Sequence, residues 1–209
     1  MKPPYVLPIV ADIVRSGISA VEGITFTGHS VCPVCGGDLT GYDTKRKQFA
    51  HLITKNGLET MYVDIRRFRC RTCRQICYAD EPFYPDTRIG SVIIDLCIAF
   101  SMTMPVYRVP AYLAAMGIHV DRSSCRLYVR HISGCYVRTN TRYIDENGTS
   151  GIHLPLSVLT LSSLAITHPE GSGLSESEVI SACGSPSAPR KAKNFPLPLK
   201  RWVNRDNLW

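Results

Sequence analysis

Two Cys-x-x-Cys pairs set the strongest limit on what this chain can fold into. Cys32-Pro33-Val34-Cys35-Gly36-Gly37 opens a stretch that Cys70-Arg71-Thr72-Cys73 closes. Structural zinc takes four soft ligands in a closed tetrahedron, and a two-residue gap lets each pair present both sulfurs to one ion. Gly36 and Gly37 allow the tight backbone such a knuckle needs. The 34 residues between Cys35 and Cys70 exceed the usual spacing of about 15–20. Two strands and a turn fill that excess. The expected centre is a structural Zn2+ held by Cys32, Cys35, Cys70 and Cys73, with no catalytic role. A redox Cys-x-x-Cys and structural disulfides are the alternatives, but a redox motif stands alone in a βαβ setting. His29 and Cys77 are spare ligands nearby, Cys77 being the first substitute.

The cysteine count bears on compartment. Nine cysteines in 209 residues is an odd number, short of a disulfide scaffold, and four of them sit at metal spacing. No secretory signal is visible at the N-terminus, so the expectation is a cytoplasmic protein with reduced thiols. The most apolar run, 152–166, is shorter than the roughly 18–20 residues a membrane span needs, and it contains His153, Pro155 and several hydroxyl residues. No membrane role is expected. Self-association through 152–166 is the use that its apolar character suggests.

Around the cysteines the pattern is α+β. Residues 5–18 carry Val6, Ile9, Val10, Ile13 and Val14 at helical spacing, with Gly17 as a stop. Residues 49–54 and 60–68 read as strands separated by Asn56-Gly57, a strong hairpin signal. Tyr78 to Thr87, with Pro82 and Pro85, reads as an extended linker. Helical periodicity follows: Ile89, Val92, Ile93, Leu96, Cys97 and Phe100 line one face. A second helix covers 106–116. Because Pro110 is tolerated only in a first turn, this helix either starts near Val109 or is kinked. Gly117 ends it, and Asp121 caps a third helix over 122–132 with Cys125, Tyr128, Val129 and Ile132 facing inward. Further on, Ser175-x-x-Glu178 is a capping box for a short helix ending at Gly184. The division is 1–29 as lead-in, 30–78 as ribbon, 79–87 as linker, 88–133 as a three-helix helix-turn-helix, and 134–209 as a mostly helical or irregular tail with basic residues at its end.

Charge points to a polyanion. The net charge is +7, and much of the excess lies on the hairpin. Lys45, Arg46, Lys47, Arg66, Arg67 and Arg69 are candidate DNA contacts there, although a four-thiolate zinc site is itself anionic and part of the excess balances it. Arg122, Arg126 and Arg130 recur every four residues on the third helix, with Ser123 near its start. Such a stripe suits the major groove of double-stranded DNA, where arginine reads guanine or holds phosphate. A merely solvated basic face is the alternative. Arg138 and Arg142 extend the charge beyond the helix. His119 and His131 read as surface or packing residues, and Cys97 and Cys125 as core.

This order of features resembles a known module. A CPVCGG knuckle, a basic hairpin ending RRFRCRTC, an FYPDTR linker and the helix-turn-helix sequence AMGIHVDRSSCRLYVR are similar to the N-terminal zinc-ribbon and helix-turn-helix part of prokaryotic insertion-sequence transposases, over roughly residues 30–132. The resemblance implies zinc at the four cysteines, a recognition helix from Ser123 to Arg130, and binding to the ends of a mobile element. Three features depart from it: Arg74 where a glycine is usual, Cys77 where an aromatic is common, and Pro110. The nuclease domain of that family carries three carboxylates on an RNase-H-like fold of well over 100 residues. Only 77 residues follow Ile132 (209 − 132), with Asp145, Glu146, Glu170, Glu176, Glu178 and Asp206 as their carboxylates. The expectation is a DNA-binding protein, transposase-like or transposon-associated, without its own nuclease site. A host transcription regulator, a zinc-ribbon protein-interaction module and an active transposase subunit are the alternatives.

Overall fold

Asn56-Gly57 does mark a hairpin, but its strands run well past the segments that alternate. The computed structural model describes residues 6–29, 31–136, 154–168 and 173–183. In it β2, Leu39–Thr54, pairs antiparallel with β3, Gly57–Cys70, from Leu39↔Cys70 to Thr54↔Gly57. Lys55 and Asn56 form the turn, and Gly57 sits at φ +118°, where a side chain would be strained. Met61, Val63 and Ile65 face inward as the period of two requires. Residues 41–46 are exposed, so that half of β2 carries no apolar alternation to reveal it as strand. Register shifts between Gly41 and Asp43 and between Gln48 and Ala50 bend the ribbon. Two short strands complete the sheet on β3. β1, Thr25–Phe26, runs parallel to it, and β4, Ile76–Tyr78, antiparallel.

The stretch read as an extended linker is part of the core. Phe83 and Tyr84 are buried, as is Ala79, and the rings of Phe83 and Phe49 meet edge to face at 6.1 Å. Gly90 donates its N–H to the Phe49 carbonyl at 2.8 Å. A Cβ at Gly90 would stand 2.4 Å from the Phe49 ring, so this close approach requires glycine. Helix α2, Ser91–Thr103, then enters the centre of the molecule. It is buried almost all round rather than on one face: Ser91 through Cys97 are all buried. A helix apolar on all sides is one that neighbours enclose, here the loop 79–90, the base of β2 and the other helices.

Pro110 resolves as the first-turn residue. A 3-10 turn at Val106–Arg108 leads into α3, Val109–Ala115, so the missing N–H disrupts nothing. Gly117, at φ +79°, closes α3 with Ile118 N–H bonded to Leu113 C=O and Gly117 N–H to Ala114 C=O, both at 2.9 Å. Asp121 starts α4, Arg122–Tyr136, by accepting the Ser124 N–H at 3.0 Å. The segment between these helices is stitched to the hairpin. Ile53 N–H donates to Gly117 C=O at 2.8 Å and His119 N–H to His51 C=O at 2.9 Å, around a Leu52↔Ile118 bridge.

The chain ends also join this body. α1, Pro8–Ser19, lies along α5, Leu156–Thr167. Gly17 is therefore inside α1, not a stop: a Cβ there would be 2.8 Å from the Ser162 backbone. α6, Glu176–Cys183, begins with the capping box. Ser175 N–H and hydroxyl donate to Glu178 Oε2 at 2.8 and 2.6 Å, holding that carboxyl at about 2 with help from His168. Glu176 accepts Thr27 N–H at 2.7 Å and its hydroxyl at 2.9 Å, tying α6 to the strand-β1 exit. Asp95 of α2 is buried and accepts Tyr84 Oη–H at 2.5 Å and Ser157 Oγ–H at 2.6 Å. Burial pushes its pKa up. One hydrophobic cluster runs from Val14 through Val63 and Ile93 to Leu161 and Val179. Among the described residues the fold is a mixed α/β unit of one sheet and six α-helices. Among the described residues no helix is long and apolar enough to cross a membrane. Residues 184–209, with the basic tail, lie outside those described, as do Arg138 and Arg142.

Two stability outcomes follow. Gly90→Ala should cost about 1–3 kcal/mol, the range for overpacking a filled core, read as a lower urea midpoint at unchanged slope. Truncation after residue 153 strips α5 and α6 from the core, and calorimetry should then show no cooperative unfolding transition at the parent temperature.

Candidate metal centre and basic surface

The two knuckles are built alike, although one precedes β2 and the other follows β3. In the first, Cys32 N–H donates to Gly37 C=O at 3.0 Å and Gly36 N–H to Cys32 C=O at 2.8 Å. In the second, Cys70 N–H donates to Gln75 C=O at 2.9 Å and Arg74 N–H to Cys70 C=O at 3.1 Å. The residue after the second cysteine is left-handed in both: Gly36 at φ +71° and Arg74 at φ +61°. Arg74 thus occupies a glycine position and carries the strain of doing so. The knuckles abut closely. A Cβ on Gly37 would lie 2.5 Å from Thr72 Oγ1, and Arg71 N–H donates to Asp38 C=O at 2.9 Å.

This pairing brings the four predicted cysteines together. Their sulfurs all lie within 4.8 Å of one another, with Cys32 Sγ to Cys73 Sγ at 3.6 Å and Cys35 Sγ to Cys70 Sγ at 3.4 Å. Metal–sulfur bonds of 2.3 Å in a tetrahedron put sulfurs about 3.8 Å apart, so the set fits a metal ion with little adjustment. Backbone N–H groups point at the sulfurs, as Cys73 N–H does at Cys70 Sγ, 3.4 Å away. N–H groups of Cys35 and Val34 help bring the Cys32 thiol down to about 6. Cys73 gains from the Gln75 N–H, yet desolvation and its neighbouring thiols push it up to about 12. Four thiols this close cannot all ionise alone, and a divalent cation removes that conflict. Cys77 is buried next to the set without belonging to it. His29 lies outside it, stacked on Phe68 at 6.2 Å.

The basic residues divide by what they touch. Lys47 is nearly buried, bonded to both Glu81 oxygens at 2.6 and 2.8 Å, and seated over the Tyr78 and Phe83 rings. Arg67 grips Asp43 with two nitrogens and lies between Tyr42 and Tyr78. That bidentate pair lowers the Asp43 carboxyl and raises the Arg67 guanidinium. Arg46 and Arg66 lie on the opposite face, over Tyr62 at 4.6 Å and Phe68 at 5.8 Å. Lys45 and Arg69 are exposed. On α4, Arg122, Arg126 and Arg130 are all exposed while Cys125 and Ile132 are buried, so the stripe lies on an outer face. The Ser123 hydroxyl is bonded to Asp121.

Several contacts had no sequence signal. Tyr107 is half-exposed between Arg108 and Arg122, whose guanidinium carbons lie 5.7 and 5.8 Å from its ring. Nothing in the spacing of those residues announces the cluster, because it forms only when the 3-10 turn meets the start of α4. A family model described as a domain of unknown function (DUF6431) matches residues 32–95, from the first knuckle into α2. Curated proteins and solved structures yield no match to the chain.

Metal analysis of the purified chain should find a single zinc ion, lost in Cys70→Ser along with cooperative folding of the ribbon. Arg74→Gly should relieve the left-handed strain and raise stability by about 1 kcal/mol, measured by urea unfolding of the metal-loaded chain.

Proposed function

We propose that the chain is a DNA-binding protein of transposase-like or transposon-associated type, with a structural zinc ribbon, a helix-turn-helix and no nuclease site of its own. The observation that carries this reading is the arginine stripe on α4. Arg122, Arg126 and Arg130 stand exposed on a helix that Asp121 caps and that follows a glycine-closed turn. In this reading α2, α3 and α4 are the three helices and α4 is the recognition helix. The ribbon supplies backbone contacts through Lys45, Arg46, Arg66 and Arg69. Lys47 and Arg67 act there as structural cations, because their charges are spent on Glu81 and Asp43. Zinc holds the ribbon's far end and does no chemistry, since four thiolates leave no open position. A cytoplasmic location belongs to the same reading.

The geometry favours one reading unit over two linked ones. The turn before α4 is hydrogen-bonded to β2 through Gly117 and His119, which fixes the helix relative to the ribbon. Self-association is a second element of the proposal. Val158 and Leu161 of α5 are buried within the chain, while Leu156, Leu159 and Ile166 stay exposed for a partner copy.

Duplex binding should weaken steeply with salt. Arg126→Ala should cost about 1–3 kcal/mol if it contacts a base, measured by fluorescence anisotropy on a selected duplex. Lys45→Ala should instead weaken all duplexes alike and flatten the salt slope by about one. Absence of duplex binding at low salt by the zinc-loaded chain would end this reading.

A further inference from the structure

We propose that Tyr107, Arg108 and Arg122 form a clamp for a backbone phosphate of duplex DNA, beside the reading face of α4. The proposal rests on the DNA-binding reading above and divides the work along its arginine stripe. Arg122 holds the strand, and Arg126, one turn on, is left to read bases.

The cluster joins two elements. Arg108 closes the 3-10 turn Val106–Arg108, Arg122 opens α4, and the turn packs against that helix. Their guanidinium carbons lie 5.7 and 5.8 Å from the centre of the Tyr107 ring, within the roughly 6 Å over which a ring quadrupole attracts a cation. All three residues are exposed. The ring thus draws toward one point two like charges that repel each other.

A second ring that carries two cations shows what this one lacks. Lys47 and Arg67 lie over Tyr78, 4.7 and 5.9 Å from its centre. Both are neutralised, Lys47 by Glu81 and Arg67 by Asp43. Arg108 and Arg122 have no carboxylate at ion-pairing distance among the described residues. Asp121 adjoins Arg122 in sequence, but its Oδ2 accepts the Ser123 hydroxyl and the Ser124 N–H. The Tyr78 pair has its anions built in, and the Tyr107 pair is left to take one from a ligand.

Phosphate is the anion that suits it. A guanidinium presents parallel N–H donors that match two phosphate oxygens. A ring already flanked by two guanidiniums is better placed to hold them against a phosphate than to stack on a base. Residues four apart on a helix share a face, so a phosphate held by Arg122 belongs to a strand bordering the groove that Arg126 and Arg130 face. Such a contact sets register and carries no sequence information.

The test uses the full zinc-loaded chain and fluorescence anisotropy over a salt series, on the selected duplex and on a scrambled one of equal length. Arg108→Gln should weaken both duplexes by the same several-fold factor and reduce the salt slope by about one. Arg108→Lys, which keeps the charge, should keep the slope of the parent chain. Tyr107→Phe, which keeps the ring, should bind like the parent, whereas Tyr107→Leu should weaken both duplexes alike. If Arg108→Gln retains the parent's affinity and slope, or weakens the selected duplex alone, the clamp is overturned and DNA binding stands. If the parent chain binds neither duplex at low salt, the DNA-binding reading falls and the clamp with it. Should circular dichroism show Tyr107→Leu unfolded, the two Arg108 variants decide.

Discussion

The pairing of β2 with β3 is the constraint on which the rest of the structure depends. One end of this ribbon carries Leu39 opposite Cys70, and that register sets the two knuckles side by side. The other end buries Phe49, Leu52, Met61 and Val63 under the helices. Strands β1 and β4 attach to β3, and the segment between α3 and α4 attaches to β2. A one-residue slip would turn every inward side chain outward. It would also move Cys70 away from the first knuckle, so core and four-cysteine cluster share one register.

The ribbon also shows how a dense positive charge is accommodated on a small sheet. Lys47 and Arg67 are held by carboxylates and lie against aromatic rings. Arg46 and Arg66 rest on rings alone among the contacts described. Cations so placed keep an apolar covering on one side while their charge is balanced or stacked. Residue counts along the hairpin cannot separate the two kinds, because the partners Glu81 and Asp43 lie at unrelated distances in sequence.

Local features were legible to within a residue or two. The Ser175–Glu178 capping box, the Asp121 cap, the Gly117 terminus and the first-turn role of Pro110 each depend on a few neighbouring residues. The four-cysteine grouping was legible because two-residue gaps encode knuckle geometry directly. Less legible were features whose cause lies elsewhere in the chain. Gly17 resembled a stop because glycine often is one, but here it admits Ser162 of α5. Pro82 and Pro85 gave 79–87 the composition of a linker, while Phe83 and Tyr84 had partners that no local pattern names.

By itself, then, the sequence determined the grouping of the four cysteines, the hairpin, the helix ends and the arginine stripe, since each is written in short-range spacing. Only the tertiary structure decided that α5 and α6 belong to the same core as the ribbon and that α2 is buried almost all round. Those outcomes depend on burial shared between segments as distant as Asp95 and Ser157. Such burial is a property of the packed chain, and no window of local sequence contains both partners.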